Sequence, residues 1–119
     1  MNRLRLWRAL LVLLMAAVLV LALMPAPPRS IDTGWDKLNH MLAFGTLAVA
    51  GRFGFPGART PLWLLIGGLL GFGVLIELLQ MLVPTRSAEV ADVLADSVGI
   101  AVGLAVHWCS VVMARVRRA

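Results

Sequence analysis

From Ala9 to Met24 every side chain is apolar. A helix through such a run rises about 1.5 Å per residue and crosses most of the roughly 30 Å hydrocarbon core of a bilayer. Three more apolar segments follow it. The chain is 61% hydrophobic and only 14% charged, with a mean hydropathy of +0.91. Soluble domains average about 45–50% apolar and about 25% charged residues. The reading is therefore an all-α integral membrane four-helix bundle. A single domain over residues 1–119 is expected, with no length left for a sizeable soluble unit.

The chain punctuates itself. The basic start, Arg3, Arg5 and Arg8, with an apolar run behind it resembles a signal peptide, but Pro25, Pro27 and Pro28 crowd the position of a cleavage site. The first segment is read instead as a membrane helix over about residues 6–24, ended by those prolines. Thr33-Gly-Trp-Asp36 resembles a capping box with Asp in place of Glu, which starts a second helix over about 34–52. Pro61 suits the first turn of a third, over 61–83, and a fourth covers 88–114. Gly67 and Gly71, and Gly99 and Gly103, have the four-residue spacing that lets membrane helices approach closely. Trp35 and Trp63 stand near segment ends, where aromatic belts form.

Charge placement sets the orientation. Four spans put both termini on one side, with Arg3, Arg5, Arg8, Arg52, Arg59, Arg115, Arg117 and Arg118. Arg29, Lys37 and Arg86 fall on the other. The positive-inside rule makes the first side cytoplasmic and points to the bacterial cytoplasmic (inner) membrane. Basic residues scattered over segment ends are not a nucleic-acid patch, so nucleic acid is excluded as a partner. The single Cys109 excludes an internal disulfide and a multi-Cys metal site, and its apolar neighbours predict a small buried hydrophobe. His107 is read as a packed or interfacial histidine.

The informative stretch is Gly73 to Gly103, which carries Glu77, Glu89, Asp92 and Asp96, four of the six carboxylates in the chain. A charge at the bilayer centre costs at least about 2.5–3.5 kcal/mol, so such groups mark a functional site by default. Gly73, Glu77 and Gln80 share one helix face, and so do Glu89, Asp92, Asp96, Gly99 and Gly103. Asp36, Lys37 and His40 open the second helix. Three helices thus bring polar faces to a similar depth, and convergence on one outward-facing pocket is the economical arrangement. The helix limits place Glu77 about 10 Å and Asp96 about 12 Å from the nearer helix ends. Ligand-binding residues are read as Asp36, Lys37, His40, Glu77, Gln80, Arg86, Asp92 and Asp96. Catalytic candidates are Glu77, Asp92 and His40. Metal binding through His40, Glu77, Asp92 and Asp96 is conceivable, since one His with three carboxylates is a permissive set, but no H-x-x-x-H, H-E-x-x-H or paired-Cys spacing is present, so the reading is no metal and no other cofactor.

At these residues the chain resembles the VanZ-like family. The resemblance rests on Asp36-Lys-Leu-Asn-His40 with Phe44, on Glu77-Leu-Leu-Gln80, on Pro84-Thr-Arg86, and on Asp92 followed by Asp96 and Gly99. The family pattern is D-K-x-x-H, then E-x-x-Q, an Arg after the helix, and D-x-x-x-N with a following Gly. Asp96 stands where Asn is usual. The match covers about residues 30–105 and implies a small multi-span membrane protein. The family takes its name from a protein linked to resistance to the glycopeptide antibiotic teicoplanin.

Three functions remain open from the residues. One is binding of an envelope component at the pocket, either a lipid headgroup or a lipid-bearing glycopeptide antibiotic. A second is a membrane enzyme acting on a lipid-linked envelope precursor, with Glu77 or Asp92 in acid–base work and Lys37 and Arg86 holding an anionic group. The third is a structural or accessory subunit whose buried ion pairs hold its helices in register. Membrane lipids are the expected partners in each case, and no oligomeric state is read.

Overall fold

A computed structural model describes residues 2–25, 36–84, 86 and 88–119. Their regular structure is four α-helices: α1 (Arg3–Leu23), α2 (Asp36–Gly54), α3 (Leu62–Gln80) and α4 (Val90–Arg118). The expected capping box at Thr33, the interfacial Trp35 and the loop over 26–35 lie outside the described residues.

The boundaries depart from expectation for local reasons. Asn2 accepts a hydrogen bond from the Leu4 amide at 2.7 Å, so α1 starts earlier than predicted and takes its arginines into the helix. Pro61 sits just before α3 rather than in its first turn. α3 stops at Gln80, short of the predicted 83. Val83 precedes Pro84, which disfavours helical geometry there, and the chain tightens through Leu82 N–H to Leu79 O and Val83 N–H to Gln80 O. Glu77 therefore lies in the last turn of α3, closer to the helix end than the predicted 10 Å. α4 continues through Arg118, beyond the predicted 114, and Arg115, Arg117 and Arg118 face the negative end of its dipole.

Three helices, α1, α3 and α4, are long and apolar enough to cross a membrane. α2, read as a fourth span, is outside that set because it carries Asp36, Lys37, Asn39, His40 and Arg52. Its position explains how it carries them. α2 packs against each of the other three helices, and Phe44, Leu47, Ala48, Ala50 and Gly51 bury its face. The outer surface is the reverse of a soluble protein's: Leu13, Val20, Trp63, Leu78 and Leu82 are all exposed.

The closest packing is between α2 and α4. A Cβ placed on Gly99 would run into the Met41 backbone, and one on Gly103 into Gly45 O and the Ala48 side chain. The Gly99/Gly103 spacing is thus a helix contact. The Gly67/Gly71 spacing is not: a Cβ on either would meet nothing within 4 Å.

The helices run up, down, up and down. At one end Trp7 of α1 stacks on Phe53 of α2 with ring centroids 4.6 Å apart, and His107 of α4 meets the same ring edge-on at 4.5 Å. Arg8 donates to Gly54 O at 2.8 Å and lies over the Phe55 ring, while Arg52 donates to Thr60 O at 3.1 Å. Arginines thereby satisfy carbonyls at the end of α2 and in the loop after it. Cys109 is exposed rather than buried. It faces outward beside exposed Trp108, so the apolar surroundings its neighbours imply are those of lipid.

Candidate functional site

At the opposite end from Arg8 the predicted polar residues gather, and they separate into three groups. The innermost is a floor of buried Glu77, Asp92 and Asp96 with the partly buried His40. Helical phase puts them there: His40 opens α2, Glu77 closes α3, and Asp92 and Asp96 lie in the first two turns of α4. His40 Nδ1 is 2.7 Å from Asp96 Oδ1. Its other nitrogen, Nε2, lies 3.7 Å from Asp92 Oδ2 and 3.8 Å from Glu77 Oε1. Asp96 is fully buried and occupies the space a side chain at position 73 would take, since a Cβ on Gly73 would come within 2.6 Å of Asp96 Oδ2.

Glu77 does two things. Its Oε2 accepts the Glu89 N–H at 3.1 Å, just before α4 begins. A carboxylate there satisfies one of the orphan amides and sits at the positive end of the helix dipole. Its Oε1 faces His40. Glu77 Oε1, Asp92 Oδ1, Asp96 Oδ2 and Gln80 Oε1 are buried without a hydrogen-bond partner. Leaving buried acceptors unmet is costly, and more so for charged groups.

Above the floor is a rim. Lys37 Nζ pairs with Glu89 Oε2 at 3.0 Å and reaches Asp92 Oδ1 at 3.7 Å. The Lys37 and Glu89 side chains are 53% and 51% exposed, against 1% for Asp92, so this pair marks the boundary between the exterior and the floor. Asp36 is exposed, and a carboxylate oxygen of it, a ring nitrogen of His40 and an oxygen of Asp92 all lie within 4.8 Å of one another. The sequence puts Glu89 on the polar face of the fourth helix but does not single it out as a site residue. Its place beside Lys37 follows from the α2–α4 crossing, which periodicity does not give.

The third group is separate. Gln80 and Arg86 were expected in the same pocket, but their hydrogen bonds run to the end of α1. Gln80 Nε2 donates to Ala22 O at 3.0 Å, Arg86 Nε to Met24 O at 2.8 Å, and an Arg86 terminal nitrogen to Leu21 O at 2.9 Å. They clamp carbonyls that the helix itself leaves unpaired. Their placement has a physical basis: a guanidinium carries five donors in a fixed fork, which suits several carbonyls at a helix end. Because those acceptors are backbone atoms, no side-chain pattern announces them.

The floor and rim together hold Asp36, Glu77, Glu89, Asp92 and Asp96 against Lys37 and His40. The assembly is acidic, and with Arg86 engaged at α1 its excess of negative charge suits a positively charged group.

Comparison with curated proteins and with solved structures finds no match in either set. A family model described as VanZ/LLP1 matches residues 7–113, which takes in every residue of the floor, the rim and the clamp, and the chain belongs to that VanZ/LLP1 family.

Proposed function

We propose that this end of the bundle binds the headgroup of a cell-envelope lipid. The observation that carries the reading is the half-exposed Lys37–Glu89 pair, set over buried carboxylates where two apolar helices end. A zwitterionic headgroup offers an ammonium to Asp36 and Glu89 and a phosphate to Lys37, all by charge-assisted hydrogen bonds. The headgroup enters at the rim while its acyl chains stay against the exposed leucines outside. In this reading the chain spans the bacterial cytoplasmic membrane, with the arginine-rich end in the cytoplasm and the rim facing outward. A lipid-bearing glycopeptide such as teicoplanin, which carries a charged core on an acyl chain, is a competing ligand of the same amphiphilic kind.

The test is lipid retention by protein purified in mild detergent, read by native mass spectrometry after exposure to vesicles of phosphatidylethanolamine or phosphatidylglycerol. Wild type is expected to keep phosphatidylethanolamine preferentially, and Lys37→Gln with Glu89→Gln to lose the preference while staying helical. Equal retention of both lipids by wild type would sink the reading. A scaffold role has its own observation, since His40–Asp96 and Glu77–Glu89 tie α2, α3 and α4 together. That role predicts that floor variants lose thermal stability and phenotype in step, whereas rim variants that stay stable but lose lipid preference favour headgroup binding.

A further inference from the structure

We propose that the top of the floor is a divalent metal site, with His40, Asp92 and Asp36 as ligands, Asp96 as the group that orients the histidine, and Glu77 Oε1, 3.8 Å from His40 Nε2, as a further oxygen on the α3 side. The argument starts at His40. Nδ1 is 2.7 Å from an Asp96 oxygen and so carries the ring proton, because a bare Nδ1 would set its lone pair against an anion. Nε2 then presents its lone pair to Glu77 Oε1 at 3.8 Å and to Asp92 Oδ2 at 3.7 Å. His40, Asp92 and Asp36 each place a ligand atom within 4.8 Å of the other two, and Nε2 stands too far from Asp92 Oδ2 and Glu77 Oε1 for a hydrogen bond. Glu77 Oε1 has no hydrogen-bond partner, and neither does Asp92 Oδ1, on a side chain that is 1% exposed.

A positive charge at that point resolves the arrangement. A second proton on His40 would supply one, but an imidazolium N–H closes to roughly 2.7–2.9 Å on a carboxylate. The nearly equal stand-off from two oxygens fits a shared central ion better. Metal–ligand distances of about 2.0–2.2 Å in a tetrahedral site set donors about 3.4 Å apart, and Nε2 is already within a few tenths of an ångström of that spacing from Asp92 Oδ2 and Glu77 Oε1. The hydrogen bond from Nδ1–H to Asp96 is the carboxylate–histidine relay that orients metal-bound imidazoles. One imidazole with two carboxylates suits first-row ions such as Mn²⁺, Fe²⁺ or Zn²⁺. Lys37 Nζ is the neighbouring cation, 3.7 Å from Asp92 Oδ1, and it is held outward by Glu89 at 3.0 Å. Three helices contribute, so the ion also ties α2, α3 and α4.

The measurement uses the full chain in detergent, stripped with a chelator and confirmed helical by circular dichroism. Mn²⁺ is titrated against the electron paramagnetic resonance signal of the free ion, and Zn²⁺ against a chromophoric chelator. One ion per chain is expected. His40→Gln and Asp92→Asn should each weaken it by about 100-fold or more, and Asp96→Asn, which keeps an acceptor for Nδ1–H, by about 10–100-fold. Arg59→Gln, on the loop at the other end of the bundle, should leave it unchanged. If Asp92→Asn does not fold, Asp96→Asn decides, since Asn is close in shape. A folded wild type that takes up neither ion, or uptake unaffected by these floor variants, overturns the proposal. No lipid is present, so this result and the lipid-retention result fail independently.

Discussion

The same substitution should have opposite signs at two pairs of glycines. Gly→Ala in a helix interior gains roughly 0.8–1.0 kcal/mol of helix propensity wherever space permits. At Gly67 and Gly71 the added methyl meets nothing within 4 Å, so the gain stands and each variant should be more stable by about 0.5–1 kcal/mol. At Gly99 the methyl would lie 2.9 Å from Met41 Cα and still closer to Met41 O, where ordinary contact is about 3.5–4.0 Å. Both neighbours are backbone and cannot rotate away. α2 and α4 would have to separate by roughly 1 Å, which loosens the packing of Met41, Gly45 and Ala48 along the seam. Overpacking costs about 1–3 kcal/mol, so Gly99→Ala should be a net loss of about 1–2 kcal/mol, with Gly103→Ala similar. The assay is reversible unfolding in mixed micelles of increasing denaturing detergent, followed by circular dichroism. Equal destabilisation at Gly67 and Gly99 would refute the reasoning, because it would mean that α3 is packed on the face that here lies open.

Two further outcomes follow from the clamp and from the charge distribution. Glu77→Gln and Arg86→Gln should be additive within about 0.5 kcal/mol in a double-mutant cycle of thermal or detergent unfolding, because Glu77 serves the start of α4 and Arg86 the end of α1; recovery of stability in the double variant would show that the two are partners after all. For the orientation, single cysteines at Ser30 and Ser87 in a Cys109→Ala background should react with an impermeant maleimide on intact cells, and labelling only after lysis would turn the bundle over.

Much of the floor was legible because two requirements coincide there. Carboxylates in apolar segments are expensive in lipid, so they must face inward, and helical spacing then fixes which residues share the inward face. That reasoning brings Glu77, Asp92, Asp96 and His40 together, as found. It fails for Gln80 and Arg86 because their partners are carbonyls of Leu21, Ala22 and Met24, and the need of a helix end for donors leaves no mark on nearby side chains. It fails in a second way at Gly67 and Gly71. Spacing reports that a close approach is allowed, and only the packing of the neighbouring helices decides whether one occurs. Composition alone also leaves α2 out of the crossing helices. α2 is too polar by composition to be counted as a crossing helix, yet its neighbours cover it, so its hydropathy reflects protein surroundings more than lipid.

Glu77 shows how scaffold and site are joined in this bundle. One carboxylate oxygen accepts the amide just before α4, and the other faces His40 across the floor. The α3–α4 turn is therefore held by the same group that meets the histidine. A change at the floor alters the charge of the oxygen that caps α4, and a shift of α4 moves Asp92 and Asp96 relative to His40. The α2–α4 glycine seam restricts that shift, since Gly99 lies one turn beyond Asp96 and has backbone against it. The seam thus fixes the distance from His40 to both aspartates. Loosening it with Gly99→Ala should widen the floor without touching any of its side chains, so the stability loss worked out above should come with weaker ion uptake in the same variant, while Gly67→Ala leaves uptake unchanged.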